Sequence, residues 1–402
     1  MRVLIINTFY YPNMQGGAEQ SVKLLAENLV KHGHEVAVFC GDSRDGMMHE
    51  EIIEGVKVYR TDTGKLDLFS ACYNKKSFGI IGKLRNKLLM LYNTSNKERF
   101  AKVCMEFKPD VIHSNTLFGL SYYLWKMAYK MGIPVVHTVR DTDLVSPVQH
   151  GRSCNPITAK VHRMFIKHIT RYVTAVTAPS AYTLRTTLET GCLKNTKVQQ
   201  VIENSVAVDM EKLEKVLEEK EQRTSDVIKY MYAGRLIYFK GIEHMMDAFA
   251  RLDNENARLI ICGGGEMTDF VEKRAAEDSR IDYRGKLSNA ELEAAYREAD
   301  VLLVPSMWPE PFGRVVIEGN LGGLPVIAGN FGGIPEIVGQ MKGGILYKEP
   351  TAECLADAMN SLSSRSSHRE YYENIRSNMM YYDINRQIES FVKVYQKIQK
   401  AE

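Results

Sequence analysis

The sequence predicts an α/β protein built from two doubly wound domains. Three observations carry that prediction. Short apolar runs alternate with amphipathic stretches of helical spacing along the chain. The runs are apolar on both faces, as parallel strands covered by helices must be. The alternation pauses once, at a polar helical stretch over 209–226, and then restarts. At 402 residues the chain is also too long for one ordinary core.

Strand-like runs of the first half are 3–7 (VLIIN), 35–40 (EVAVFC), 56–59, 110–114, 134–139, 173–179 and 198–203. The first runs into the turn-rich loop YYPNMQGGAE. A helix follows with Val22, Leu25, Ala26 and Leu29 on one face, and it stops at Gly33. The second half offers 228–236, 257–265, 281–286, 301–306 and 325–330 as strands. The tail over 384–399 reads as a long amphipathic helix. The expected domains are 1–205 and 206–380, with a closing helix at 381–402 packed back on the first. Ligands of open α/β sheets bind beyond the carboxyl ends of the strands, so two such domains would face one cleft.

Composition narrows the function. The formal net charge of +3 is too small to make nucleic acid the main partner. Seven cysteines occur with no C-x-x-C spacing. They are scattered through strand-like runs (Cys40, Cys262) and helical ones (Cys104, Cys192), which argues against a disulfide framework and a zinc site and for a reducing compartment. The amino-terminal apolar run is shorter than the core of a secretory signal. The longest uncharged run, 319–335, is broken by glycines and two prolines and cannot span a bilayer. A cytoplasmic protein is expected, at most peripheral at the inner face of a membrane.

Several loops carry chemistry. In QGGAE, Gly16 and Gly17 open a helix after the first strand; an ordinary βα turn and an anion site both fit. Arg235 ends a strand and Lys240 lies five residues on, as a diphosphate site or two solvated charges would place them. Gly265 belongs to a glycine run after the next strand, a tight turn or a close approach to a nucleotide. Arg284 begins a loop whose backbone can face a base, and Ser288 with Glu291 forms a capping box. In VPSMWPEPFGRVVIEGN, two prolines stiffen the loop around Glu310, and Glu318 follows eight positions later. A carboxylate on each side of a helix start can hold hydroxyls on each side of a diphosphate. A nucleotide sugar has that layout.

The E-x₇-E spacing in PEPFGRVVIEG, followed by LPVIAGNFGGIPEIV, resembles the retaining glycosyltransferases of family four. GGAE, AGRL…KG, GGGE and YRGKLSNAELEAAYREADVLLVPS fall in the same order as in that family. The resemblance implies a GT-B fold of two Rossmann-like domains. It implies catalytic or charge-stabilising roles for Glu310, Arg235 and Lys240, with Arg140 from the first domain. Donor contacts would come from Gly16, Gly17, Gly265, Arg284, Phe312, Gly313, Arg314, Val315 and Glu318. Glu318 would take the ribose hydroxyls and Glu310 those of the donor sugar. No metal and no cofactor is implied, because cations stabilise the leaving diphosphate.

Two positions depart from the family pattern. Arg140 stands where many members carry histidine, and it cannot act as a general base. His137, three residues earlier in the strand, faces the other side of the sheet and reads as a packed polar residue. The usual Asn-Gly appears as Asn204-Ser205. A D-x-D, Asp141 and Asp143, lies in the first half; a loop cap with surface charge is preferred over a cation site. Residues 65–108 carry ten Lys or Arg against three acids, and 151–172 add five cations and no acid. An anionic membrane surface or an ordinary solvated helix face would explain both.

The reading is a retaining, metal-independent glycosyltransferase of cell-surface polysaccharide biosynthesis. It would move a sugar from a UDP- or GDP-sugar to a glycan or lipid-linked saccharide hydroxyl. The alternatives are a phosphorylase of the same fold and a degenerate sugar-nucleotide-binding or scaffold protein.

Overall fold

A computed structural model describes residues 1–14, 16–41, 47–61, 92–140, 144, 156–252 and 254–400. The Asp141/Asp143 pair lies outside the described residues, as do Arg152 and the basic stretch from Lys65 to Lys87. The chain forms two compact units, Met1–Glu203 with Ile384–Glu402, and Asn204–Asp383.

The first unit holds an eight-stranded sheet. Its strands are β1 (Arg2–Asn7), β2 (Glu35–Cys40), β3 (His49–Ile53), β4 (Val56–Arg60), β5 (Val111–Ser114), β6 (Val135–Thr138), β7 (Ala175–Ala178) and β8 (Val198–Val201). The order is β3-β4-β2-β1-β5-β6-β7-β8, and only β3 is antiparallel to its neighbour. Strands β1 and β5 to β7 are almost wholly buried, which is why their sequences are apolar on both faces. Strand β3, HEEII, lies exposed on the sheet edge and lacks the apolar signature that identifies its neighbours.

The Gly17–Lys31 helix buries Val22, Leu25, Ala26 and Leu29. They pack in one core with Ile384, Ile388, Phe391, Val394, Tyr395 and Ile398 of the Ile384–Gln399 helix. The carboxyl-terminal helix thus supplies a layer of the first unit. Cys192 sits in a turn beyond the Ala181–Glu189 helix, not within it. Gly191 at φ +80° has already ended the helical path there.

The second unit holds six parallel strands: β9 (Ile228–Ala233), β10 (Ala257–Cys262), β11 (Ile281–Gly285), β12 (Val301–Val304), β13 (Val326–Gly329) and β14 (Gly344–Tyr347). Their order, β11-β10-β9-β12-β13-β14, reverses direction between β9 and β12. Strand β14 begins on the second of two glycines and is only partly buried, so it lacks the apolar run that marks its neighbours. The polar stretch at 209–226 is a helix of this unit, Met210–Glu221, capped by Asp209. Its Leu213, Val216 and Leu217 are buried. The chain leaves the unit after Met379 and Tyr382, both buried in its core, and Val206 pairs with Asp383 beside that exit.

Candidate active site

In the second unit the reversal of strand order sets the carboxyl ends of β9 and β12 side by side. A crevice opens at such a point because successive crossovers leave on opposite faces. The loop after β9 brings Arg235 and Lys240, and the loop after β12 brings Ser306 and Glu310. Lys240 Nζ lies 2.7 Å from Glu310 Oε1. The Ser306 hydroxyl donates to that same oxygen. Burial pushes the Glu310 carboxyl up, but the charge and hydrogen bond of Lys240, the Ser306 hydrogen bond and the charge of Arg235 hold it below its ordinary value. Glu310 is therefore a carboxylate in a charged, half-dry setting.

Two glycines make this packing possible. Gly241 sits at φ +72°, and a Cβ there would lie 1.9 Å from the Pro305 carbonyl oxygen. Gly332, at φ +67°, would drive a Cβ to 2.5 Å from the Glu310 carbonyl oxygen. A side chain at Gly241 would part the loops after β9 and β12, and one at Gly332 would push the loop after β13 off the Glu310 loop. The Gly333 amide donates to the Glu310 carbonyl at 2.8 Å, so the carboxylate loop is pinned from behind.

Gly313, at φ +100°, is the N-cap of the Arg314–Leu321 helix. Arg314 Nε donates to Glu318 Oε1 at 2.6 Å, and its Nη1 donates to the Ser205 carbonyl at 2.8 Å. Arg314 is thus engaged with Glu318 itself. Phe312 is 4% exposed and meets Tyr382 edge-on within the core. Val315 packs half-buried on that core.

Two expected donor residues are occupied elsewhere. The Gly265 amide donates to Thr268 Oγ1 at 3.1 Å. Arg284 pairs with Asp282 and Glu298, both at 2.7 Å, at the end of β11, two strands away from β9. The Arg284 hydrogen bond, against a burial penalty, holds Glu298 down to about 2.

In the first unit the order reverses between β1 and β5. Asn7 closes β1, and its Oδ1 accepts from Thr116 Oγ1 at 2.7 Å. Gly16 and Gly17 open the Gly17–Lys31 helix, and the Gly16 amide donates to Glu19 Oε2 at 2.9 Å. Arg140 follows β6, and its Nε donates to Asn115 Oδ1 at 2.6 Å. Asn115, one residue past β5, is buried. His137 is packed: its Nδ1 meets Ser114 Oγ at 3.0 Å and its ring lies edge-on to Trp125. Burial lowers it to about 3, so it is neutral.

Asn115 and Ser306 did not figure in the sequence reading. Each lies one or two residues beyond a strand beside the reversal, and that position was their only signal.

The fold and the residues at the strand ends define a GT-B glycosyltransferase. Sucrose-phosphate synthase of Thermosynechococcus elongatus superposes on the chain with a TM-score of 0.79 at 20% identity, over 100% of both chains. An Anabaena protein, HepE, crystallised in complex with UDP and glucose, gives 0.69 at 18% identity over 98% and 99%. The chain belongs to glycosyltransferase family four. The Glycosyltransferase Family 4 model matches residues 15–209, and the Glycosyl transferases group 1 model matches 214–379. A curated relative, an uncharacterised 42.6 kDa protein in the cps region of Klebsiella pneumoniae, is 29% identical over 334 residues, 80% of this chain and 83% of its own length.

Proposed function

We propose that this glycosyltransferase is retaining and metal-independent, and that it transfers a hexose from a UDP- or GDP-sugar to a hydroxyl of a glycan or lipid-linked saccharide. The observation that carries the reading is the Lys240–Glu310 pair at the β9/β12 reversal, with Arg235 acting on the same carboxylate. The leaving nucleoside diphosphate gains negative charge as the glycosidic bond breaks. Arg235 and Lys240 stabilise that charge most in the transition state. An ammonium has three donors, so Lys240 can hold Glu310 and a phosphate oxygen together. Glu310 accepts from hydroxyls of the transferred sugar, and Glu318, set by Arg314, accepts from the ribose. A carboxylate already bonded by Lys240 and Ser306 is a poor nucleophile. A front-face route follows: the bond from the anomeric carbon to phosphate breaks, the acceptor oxygen bonds on the same face, and the leaving phosphate takes the acceptor proton.

The Anabaena neighbour's UDP and the relative's place in a cps region support a UDP-sugar and a role in polysaccharide biosynthesis. The test is incubation with UDP- and GDP-sugars in EDTA. Slow release of UDP or GDP, and a glycoside of the donor's anomeric configuration by NMR, are expected. Inversion would reject the retaining route. Turnover lost in EDTA and restored by a divalent ion would reject metal independence.

An anionic membrane surface is proposed as a further contact. Met164 is 64% exposed on the Pro156–Ile169 helix, among Lys160, Arg163 and Lys167. Among the described residues no helix is long and apolar enough to cross a membrane. Arg163→Glu with Lys167→Glu should lower sedimentation with anionic vesicles; equal sedimentation would remove the proposal.

A further inference from the structure

Three aromatic residues neighbour the Lys240–Glu310 pair along the two loops and take no part in the cores of the second unit. Tyr238 and Phe239 lie immediately before Lys240, and Trp308 lies two residues before Glu310. The Tyr238 and Phe239 rings are 5.6 Å apart, and those of Phe239 and Trp308 are 6.2 Å apart, each pair edge to face. The Met307 amide donates to the Phe239 carbonyl at 2.9 Å, so the two loops carry the rings as one piece. Pro309 and the Gly333 contact stiffen the Trp308 side.

Tyr238 is 47% exposed, and Phe239 and Trp308 are half-buried. None of the three belongs to, or packs on, either hydrophobic core of the unit. Phe331, which is also half-buried, does pack on one. Large aromatic surface left outside a core contributes little to folding and is available to a ligand. An aromatic face carries negative charge density, which attracts the weakly positive C–H bonds lining one face of a pyranose ring. In a glycosyltransferase a sugar ring must lie against the reacting groups.

We infer that Tyr238, Phe239 and Trp308 form a saccharide subsite that takes the C–H face of a pyranose ring beside Glu310. The inference rests on the reading of the Lys240–Glu310 pair as the place of sugar transfer. The ring is the donor's hexose or the acceptor's terminal sugar; the chemistry of recognition is the same. A nucleotide base is a poorer fit, because that reading puts the ribose at Glu318, on the far side of the diphosphate from Glu310.

The test compares Trp308→Ala, Trp308→Phe and Tyr238→Ala with wild type. Affinities are measured for UDP, GDP, UDP-glucose and GDP-mannose, followed by nucleotide release stimulated by a panel of methyl glycosides. If the ring is the donor's, Trp308→Ala weakens the nucleotide sugar about tenfold and spares the free nucleotide. If the ring is the acceptor's, donor affinity holds and the KM for the stimulating glycoside rises about tenfold. Trp308→Phe recovers most of either loss, because it keeps an aromatic face. Tryptophan emission should also respond to the sugar in wild type and not in Trp308→Phe. The sequence has two tryptophans, and the other, Trp125, is fully buried. Three results would each overturn the subsite: no change in any affinity or KM; equal loss of free nucleotide and nucleotide sugar, which would make the platform a base stack; or loss that Trp308→Phe does not recover, which would make Trp308 structural. Glu310→Gln, assayed alongside, separates the two claims. Unchanged turnover there rejects the transfer site itself, whereas a Glu310 defect with silent aromatic variants rejects only the subsite.

Discussion

The two units share a parallel doubly wound sheet, yet the reversals of strand order hold opposite chemistry. Between β9 and β12 the charges are paired: Lys240 with Glu310, and nearby Arg314 with Glu318. Between β1 and β5 the groups are Asn7, Thr116 and Asn115, with Arg140 the cation bonded there. Behind that edge the first unit buries neutral histidines. His113 lies between Tyr395 and Thr138 at 2.7 and 2.6 Å, and His137 lies between Ser114 and Trp125. Among the described residues, the same backbone geometry thus supports paired charges in one unit and mostly neutral hydrogen-bonding groups in the other. What differs is which short loops follow the strands.

The largest expected effect tests the buried histidines. Burial holds the His113 pKa well below its ordinary value and that of His137 at about 3. Below about 6.5 the unfolded chain binds protons at both histidines that the folded chain does not. Stability therefore falls as pH drops below about 6.5. His137 alone costs about 2–3 kcal/mol by pH 4.5, at about 1.4 kcal/mol per pH unit, and His113 adds to that in the same direction. The second unit has His368, also lowered by burial, while its depressed carboxylates, Glu310 and Glu298, lose their contribution only in the acid carboxylate range. Hydrogen exchange from pH 7 to 5 should show β5 to β7 losing protection before β9 to β13. Simultaneous loss would break the contrast.

On the charged side, Glu310→Gln should lower kcat by about a hundredfold, the scale on which a misplaced reacting sugar loses rate. Affinity for free UDP or GDP should hold, since the carboxylate's proposed partner is the sugar. Glu318→Ala and Arg235→Ala should instead weaken nucleotide binding by about ten- to a hundredfold, as loss of a hydrogen bond to a charged group, about 1.5–3 kcal/mol, dictates. Calorimetry that finds both affinities unchanged would remove the donor assignment from the second unit.

The sequence was most informative where strands are buried. Strand β2 falls on the expected 35–40, and the tail helix on 384–399. Both are long amphipathic or fully apolar segments, whose period survives any packing detail. Exposed β3 and half-buried β14 left no such trace. The spacing of Arg235, Lys240, Glu310 and Glu318 was visible, but their pairing was not. Lys240 and Glu310 are seventy positions apart, and only the adjacency of β9 and β12 brings them together. Nor could spacing show that Arg284 is taken by Asp282 and Glu298, because side-chain competition for a cation depends on the folded neighbourhood.

The smallest expected effect sharpens the uncharged side. The family resemblance implies a charge-stabilising role for Arg140 from the first domain, and we propose that role here. Arg140→Ala should cost kcat about tenfold with donor KM little changed, the pattern of an interaction made in the transition state. Asn115 would then be a positioning residue. Its amide N–H donates to the Ile6 carbonyl at 2.9 Å, which anchors it across β1, and its Oδ1 accepts from Arg140 Nε at 2.6 Å. Asn115→Ala removes that acceptor and leaves the guanidinium charge in place without its Asn115 anchor. A loss of about threefold in kcat is expected, well short of the Arg140→Ala loss. The two effects should also fail to add. In the Arg140→Ala background, Asn115→Ala should cost nothing further, because its only proposed route to the reaction has gone. Full additivity in that double-mutant cycle would show that Asn115 acts through something other than Arg140. An Asn115→Ala loss as large as that of Arg140→Ala would mean the hydrogen bond, and not the charge, is what the first unit contributes.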